Sequence, residues 1–335
     1  MLRRVVATLL VGSAALVAGC SSDAQPSDEL MVTDSPVAAT PAVSPPVAGT
    51  PTGTVLALAG RPTAMVVDAR TRLLAVAVAQ PPAVLLYRLD DLDAQPRTVA
   101  LPGAAEDLRL AGEGGPLLAA AGHQVVRIAL PDGTTTAMPV DGSPASAAQF
   151  QDRTLVAVRD RRAVAVLDGG AERQVITGGL FSADQVLAAG GGAVVLDRVR
   201  NAVFELDVPG GSIRQGLRAG QGSTNATVDR FGRVLVVDTR GEALLAFSLD
   251  PLLMRQRYPV GGVPFGIAYD PARDLAWVTL TATNEVVGYH VAGEEPREKY
   301  RFPTVGQPNT VTVDPGTGRV LVASATGEGI QVIDI

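Results

Sequence analysis

VGGVPFGIAYDPARDLAWVTLTATNEVVGYHV, residues 260–291, and VGQPNTVTVDPGTGRVLVASATGEGIQVIDI, residues 305–335, are two copies of one pattern. Each opens on a glycine-led turn and runs through a short apolar strand to Asp270 or Asp314. It then turns on Asp-Pro and continues through a second strand and a third. A repeated unit of this size cannot bury its apolar faces alone and must stack on copies of itself. Working outward, the leading glycine recurs at Gly60, Gly103, Gly142, Gly179, Gly220, Gly262 and Gly306, at spacings of 43, 39, 37, 41, 42 and 44 residues.

Residues 73–79, 154–158, 233–237, 275–280 and 319–323 are almost continuously apolar, as strands covered on both faces are. Residues 84–89, 125–130, 203–208, 244–249, 286–291 and 330–335 alternate apolar and polar, as strands nearer water do. No stretch shows a sustained helical period with caps. Strand repeats of about 40 residues predict an all-β, seven-bladed β-propeller, with four-stranded blades set radially around a channel. The two ends support the count. Unit seven stops after its third strand at Ile335, whereas TVLALAG (54–60) resembles the fourth strands TVALPG (98–103) and VITGG (175–179) with no first three strands before it. The N-terminal strand is therefore expected to complete the last blade, which closes the ring and removes two open sheet edges. A solenoid is the main alternative, but it would need capping ends, and none is visible.

The two quoted units resemble YVTN-type propeller repeats, as in YncE-like proteins: a Gly-x-Pro leads strand one and a Leu/Val-x-Val strand follows. The stretches LRAGQGSTNATVDRFGRVLVV (217–237), DPLLMRQRYPV (250–260), 275–289 and YRFPTVGQPN (300–309) are similar to mycobacterial lipoproteins of the LppL type. The resemblance covers lipobox, Pro-rich tether and propeller, although units two to four depart from the repeat. It implies an actinobacterial envelope lipoprotein and brings no catalytic motif with it.

The N-terminus reads as an address. In MLRRVVATLLVGSAALVAGC, Arg3 and Arg4 precede an apolar run, 5–17, that is too short for a comfortable membrane span. Val17-Ala18-Gly19-Cys20 then matches a bacterial lipobox, with small residues ahead of the only cysteine in the chain. Residues 1–19 are expected to be removed as a lipoprotein signal peptide. The Cys20 thiol is expected to receive diacylglycerol, anchoring the protein at the extracytoplasmic face of the cell membrane, since each buried methylene contributes about 0.8 kcal/mol. Residues 20–53 carry Pro26, Pro36, Pro41, Pro45, Pro46 and Pro51 among small residues and read as a disordered, extended tether with a reach of about 100 Å. The propeller takes residues 54–335.

The rest of the composition narrows the chemistry. The chain has 335 residues, 47% of them hydrophobic, and a net charge of −6, with no basic block for nucleic-acid phosphates to bind. One cysteine excludes a disulfide within the chain or a thiolate metal cluster, and two histidines exclude sites built from several imidazoles. Trp277 alone cannot furnish the tryptophan-rich docking set of a quinoprotein. Gly190-Gly191-Gly192 lacks the Lys-Ser/Thr and the helix of a phosphate cradle and reads as a turn. His123 is expected in a turn and His290 in a third strand, both away from the channel, and Arg159-Asp160-Arg161-Arg162 reads as a solvated hairpin.

Aligning the units on their glycines puts Thr63, Glu106, Ala145, Ser182, Thr224, Phe265 and Asn309 at one level of the channel mouth, with Asp107 and Asn225 one residue further on. Alternation along a strand allows only one of Glu106 and Asp107 to face the channel. Glu106, Asn225 and Asn309 are the candidate ligand-binding residues. They could supply three oxygens to a hard cation in a metal-dependent hydrolase or lactonase, but such sites usually gather more carboxylates, and a polar lining is the plainer reading. No catalytic residue, resident metal or cofactor is assigned. The expected function is a monomeric, membrane-anchored binding or scaffold module that meets an envelope protein, glycan or lipid and not nucleic acid. The hydrolase is the alternative, and a small-ligand carrier a third possibility.

Overall fold

The computed structural model describes Leu30, residues 35–293 and residues 295–335. The expected signal peptide and Cys20 lie outside the described residues, as does the first part of the tether except Leu30. From Thr54 the chain forms seven four-stranded antiparallel sheets. Blades 1 to 6 are consecutive in sequence, over 62–100, 108–139, 144–176, 185–218, 223–259 and 264–303. Blade 7 combines Pro308–Val313, Val320–Ser324 and Ile330–Ile333 with an outer strand, Thr54–Leu56, from the other end of the chain. Thr54 pairs with Val332 and Leu56 with Ile330, which is the closure expected from the sequence.

The core lies between the sheets. Leu155, Val164 and Ile176 of blade 3 meet Val186, Ala193 and Phe204 of blade 4. Comparable clusters join every other neighbouring pair, including Leu74 and Val76 of blade 1 with Leu321 and Ala323 of blade 7. This is why the second strands are apolar on both faces: Leu275–Leu280 is buried throughout, one face against each neighbouring blade. Such a ring has no interface to spare, because opening it anywhere exposes a full blade face to water.

The recurring glycine has a local cause, clearest at Gly220. Its φ is +87°, and a Cβ there would meet Oδ2 of Asp238 at 2.0 Å. Asp238 ends the second strand of the same blade and accepts the amides of Gln221 and Gly222, at 3.0 and 2.8 Å, and that of Gly241 at 3.0 Å. The glycine thus makes room for a carboxylate that caps two adjacent turns.

Antiparallel blades place their connections on two faces. The upper face carries the turns from second to third strand and the links between blades. The lower face carries the turns from first to second strand and from third to outer strand. The segment before Thr54 is not free of the disc. Arg240 donates to the Val37 carbonyl at 3.1 Å, Arg198 to Ala39 at 3.1 Å, Gln307 to Ala42 at 2.8 Å and Asn284 to Pro45 at 2.8 Å. All four donors are upper-face residues, so residues 37–45 form a strap across blades 4 to 7. The chain then passes between blades 6 and 7, where the buried Gln331 donates to the Thr52 carbonyl at 2.7 Å, and enters the outer strand. Prolines favour an extended backbone in this segment. A free tether up to residue 53 does not follow, because an extended segment leaves its carbonyls open to donors from the loops.

Candidate functional site: the channel and its upper mouth

The inner strands, Pro62–Asp68 to Pro308–Val313, surround an axial channel of about 540 Å³. Glu106, Asn225 and Asn309 all border it, together with Thr63 and Asp107. Ala145, Ser182, Thr224 and Phe265, which the glycine alignment puts at the same level, are not among the lining residues. The register explains the difference. Five inner strands begin with an irregularity, between Pro62 and Ala64, Pro144 and Ser146, Ser223 and Asn225, Pro264 and Ile267, and Pro308 and Thr310. A bulge re-aims side chains. In blade 5 it turns Thr224 inward, 2.6 Å from the Thr239 hydroxyl, and leaves Asn225 facing the channel. Glu106 and Asp107 both border the channel, against the alternation argument, because they precede the short strand Leu108–Leu110 and are not pleated.

The polar groups at the mouth are engaged with one another. Glu106 accepts from Nη2 of Arg159 at 2.8 Å, and Nε of Arg159 donates to Asp184 at 2.9 Å. The other Asp184 oxygen accepts the Arg198 amide at 2.9 Å. Asp107 accepts from Nε of Arg109 and from the Ser146 hydroxyl, both at 2.7 Å. Asn225 donates to the Phe265 carbonyl and Asn309 accepts from Gln307, both at 2.9 Å. Lower in the channel, Gln185 accepts the Ala226 amide at 2.8 Å.

These contacts set the charges. The hydrogen bond from Arg159 holds the Glu106 carboxyl below the usual range, and the same bond pushes the Arg159 guanidinium up. Burial pulls the Arg198 guanidinium down. Among the described residues, no three His, Cys, Asp or Glu side chains are placed to hold a metal ion.

Arg159 is therefore more than a residue of a solvated hairpin, although Arg161 of the same run does make a surface pair with Glu172 at 2.7 Å. The sequence reading also passed over Arg198 and Arg240. The signal was present: in blades 3, 4 and 5 an arginine stands one or two residues past the end of the second strand (Arg153–Val158, Gly192–Asp197 and Val234–Asp238). That position lies on the upper face beside the mouth. His123 sits on the upper rim with Nδ1 2.7 Å from the Gly142 carbonyl, and His290 ends the third strand of blade 6, so neither lines the channel.

No family model matches the chain, and no curated protein sequence does. Solved structures match its fold. The β-propeller domain of Myceliophteria thermophila Cps50 (Swd1) superposes with a TM-score of 0.72 at 12% identity, covering 85% of this chain and 100% of that one. A chain of a mitotic checkpoint complex gives 0.72 at 11% identity, with 99% of each chain covered. Virginiamycin B lyase from Staphylococcus aureus gives 0.69 at 12% identity, covering 84% and 99%. A catalytically inactive variant of that lyase, with a histidine replaced by alanine, is known with quinupristin and matches equally well, at 0.69. At these identities the likeness is one of fold alone: the chain is a seven-bladed β-propeller.

Proposed function

We propose that this protein is a membrane-anchored envelope lipoprotein whose propeller is a binding or scaffold module for an envelope partner. The observation that carries this reading is that the upper face already holds a length of polypeptide, the strap, through side chains of blades 4 to 7. Of a protein, glycan or lipid partner, that observation favours a protein. Among the described residues, no part of the strap covers the sector of the upper face around Glu106, Arg159 and Asp184, and a rigid disc presents such loops with little cost in entropy. The anchor rests on Cys20 and its lipobox. Because the chain already meets the disc at Leu30, whose carbonyl accepts from Arg218 at 2.7 Å, the path from Cys20 is at most about 35 Å, shorter than a wholly free tether would allow. The resemblance to YVTN-type repeats and to LppL-type lipoproteins supports the same reading.

The metal-dependent hydrolase is not favoured. Glu106 would have to leave Arg159, and Oδ1 of Asn309 would have to leave Gln307, before either could ligate. A lyase reading is not favoured either, since the channel lining holds no histidine.

Two measurements test the proposal. A photo-crosslinking residue placed at Phe181, an exposed side chain on an upper link, should capture a discrete envelope protein in intact cells. Capture of nothing beyond the chain itself would count against a partner on this face. Cys20→Ala should release the protein from the membrane fraction, and a variant that stays there would remove the lipid anchor from the reading.

A further inference from the structure

The side chains that hold the strap read its main chain. Four of them donate to carbonyls: Arg240 to Val37, Arg198 to Ala39, Gln307 to Ala42 and Asn284 to Pro45. Among the described residues, two side-chain groups accept strap amides, Thr281 Oγ1 from Ala42 at 3.0 Å and Gln307 Oε1 from Ser44 at 3.1 Å. This ratio fits a proline-bearing chain, which offers every carbonyl but lacks amides at its prolines. The Gln307 amide brackets residues 42 and 44, and in an extended segment those residues point their main-chain groups the same way. One strap side chain is deeply seated. Ala39 is 3% exposed, and a Cβ built on Gly222 would lie 2.8 Å from its own. Val43, by contrast, is 92% exposed. Ser44 adds a second side-chain contact: its hydroxyl donates to the Thr281 carbonyl at 2.6 Å and accepts the Gln307 main-chain amide at 3.1 Å. The groove therefore specifies an extended backbone, one small residue and one hydroxyl.

We infer that this groove is a peptide-binding site for extended, proline-bearing segments with a small residue at the Ala39 position and a hydroxyl at the Ser44 position, and that residues 37–45 are its resident occupant. The inference deepens the binding-module reading and rests on it. Recognition through main-chain carbonyls tolerates many sequences, so a segment of the same character from an envelope protein competes with the strap for Arg198, Arg240, Asn284 and Gln307. Gln307 also bonds Asn309 at the channel, so exchange of the strap is felt at the mouth.

The test uses the full chain carrying Ala39→Glu, which puts a carboxylate where Gly222 leaves no room and so evicts the strap. The probe is a labelled peptide of residues 35–47, SPVAATPAVSPPV. It should bind the Ala39→Glu chain saturably and the unsubstituted chain at least tenfold more weakly, because there the site is filled. Adding Gln307→Ala to the Ala39→Glu chain should weaken binding at least tenfold. The same peptide with glutamate at the Ala39 position should not bind. Absence of binding, or equal binding with and without Gln307, overturns the proposal. So does loss of the circular-dichroism spectrum of the disc in Ala39→Glu, since the strap would then be a structural stave and not an occupant. Failure here combined with successful capture from Phe181 would leave the binding module standing with a different ligand. Failure of both would remove it.

Discussion

Blades 5, 6, 7 and 1 turn from inner to second strand on a buried aspartate, and blades 2, 3 and 4 do not. In the first group Asp229, Asp270, Asp314 and Asp68 end or follow the inner strand and accept amides of the turn beyond. These carboxylates also draw in neighbouring blades. Arg72 of blade 1 reaches Asp314 of blade 7 at 2.8 Å, and the Gly114 amide of blade 2 reaches Asp68 at 2.9 Å. Further ties on the same face run from Arg233 to the Val291 carbonyl at 2.8 Å and from Arg273 to the Pro315 carbonyl at 3.2 Å. In the second group the turns rest on backbone conformation, with positive φ at Gly114 and Gly115, at Gln151, and at Gly190 and Gly191. A propeller thus closes with either kind of turn, but the carboxylate kind also laces blade to blade.

The largest test of this contrast removes one carboxylate. Asp314 is fully buried and accepts from Gly316, Thr317 and Arg72. Asp314→Ala should cost about 3 kcal/mol in denaturant unfolding, through unsatisfied donors and an unpaired arginine. A loss below about 1 kcal/mol would mean that this turn does not depend on its carboxylate. Next comes the latch of the same half. Gln331 accepts the Val305 amide at 3.0 Å and donates to Thr52 and Pro303, so Gln331→Ala should cost about 2 kcal/mol and raise amide exchange in Thr54–Leu56. In the glycine-turned half the effect should be smaller. Gly191 has φ +88° and open space around it, so Gly191→Ala should cost about 1 kcal/mol, purely from backbone conformation.

The smallest effect is one of pH. Burial pushes the Asp314 carboxyl up, but hydrogen bonds from Arg72, Thr317 and the Gly316 amide outweigh it and leave it below its ordinary value of 3.8. In blade 4, burial holds the Asp197 carboxyl above that value despite the amides of Arg200, Phe181 and Ser182. The signs are opposite. Asp314 adds stability above the unfolded-state value and loses it as pH falls through its folded value. Asp197 adds stability below the unfolded-state value and loses it as pH rises through its folded value. Asp197→Asn should therefore flatten the change in unfolding midpoint on going from pH 4 to pH 7, and an unchanged profile would show that Asp197 does not titrate differently on folding.

The same division governs what is legible in the sequence. The units containing Asp270-Pro271 and Asp314-Pro315 announce the repeat because their turns are made by side chains, which leave letters in the sequence. Blades 2 to 4 match it poorly because their turns are made by φ angles, which many glycine-containing strings satisfy. At the mouth, Glu106, Asn225 and Asn309 do border the channel, but their partners could not be read. Arg159 meets Glu106 across 53 residues, and Gln307 meets Ala42 across 265. Bulges that shift five of the seven inner strands leave little trace in composition, and so the single level drawn from the glycines dissolved into different facings.

The amino-acid sequence by itself determined the blade count, the strand order within each unit and the closure by residues 54–56, because these follow from periodicity and from a missing fourth strand. The proposed anchor at Cys20 likewise rests on the sequence alone. Only the tertiary structure decided where the proline-rich segment goes and which polar groups meet at the mouth. Both depend on main-chain carbonyls and side-chain donors far apart in the chain, and every residue offers the same carbonyl, so nothing in the local sequence marks which one will be used.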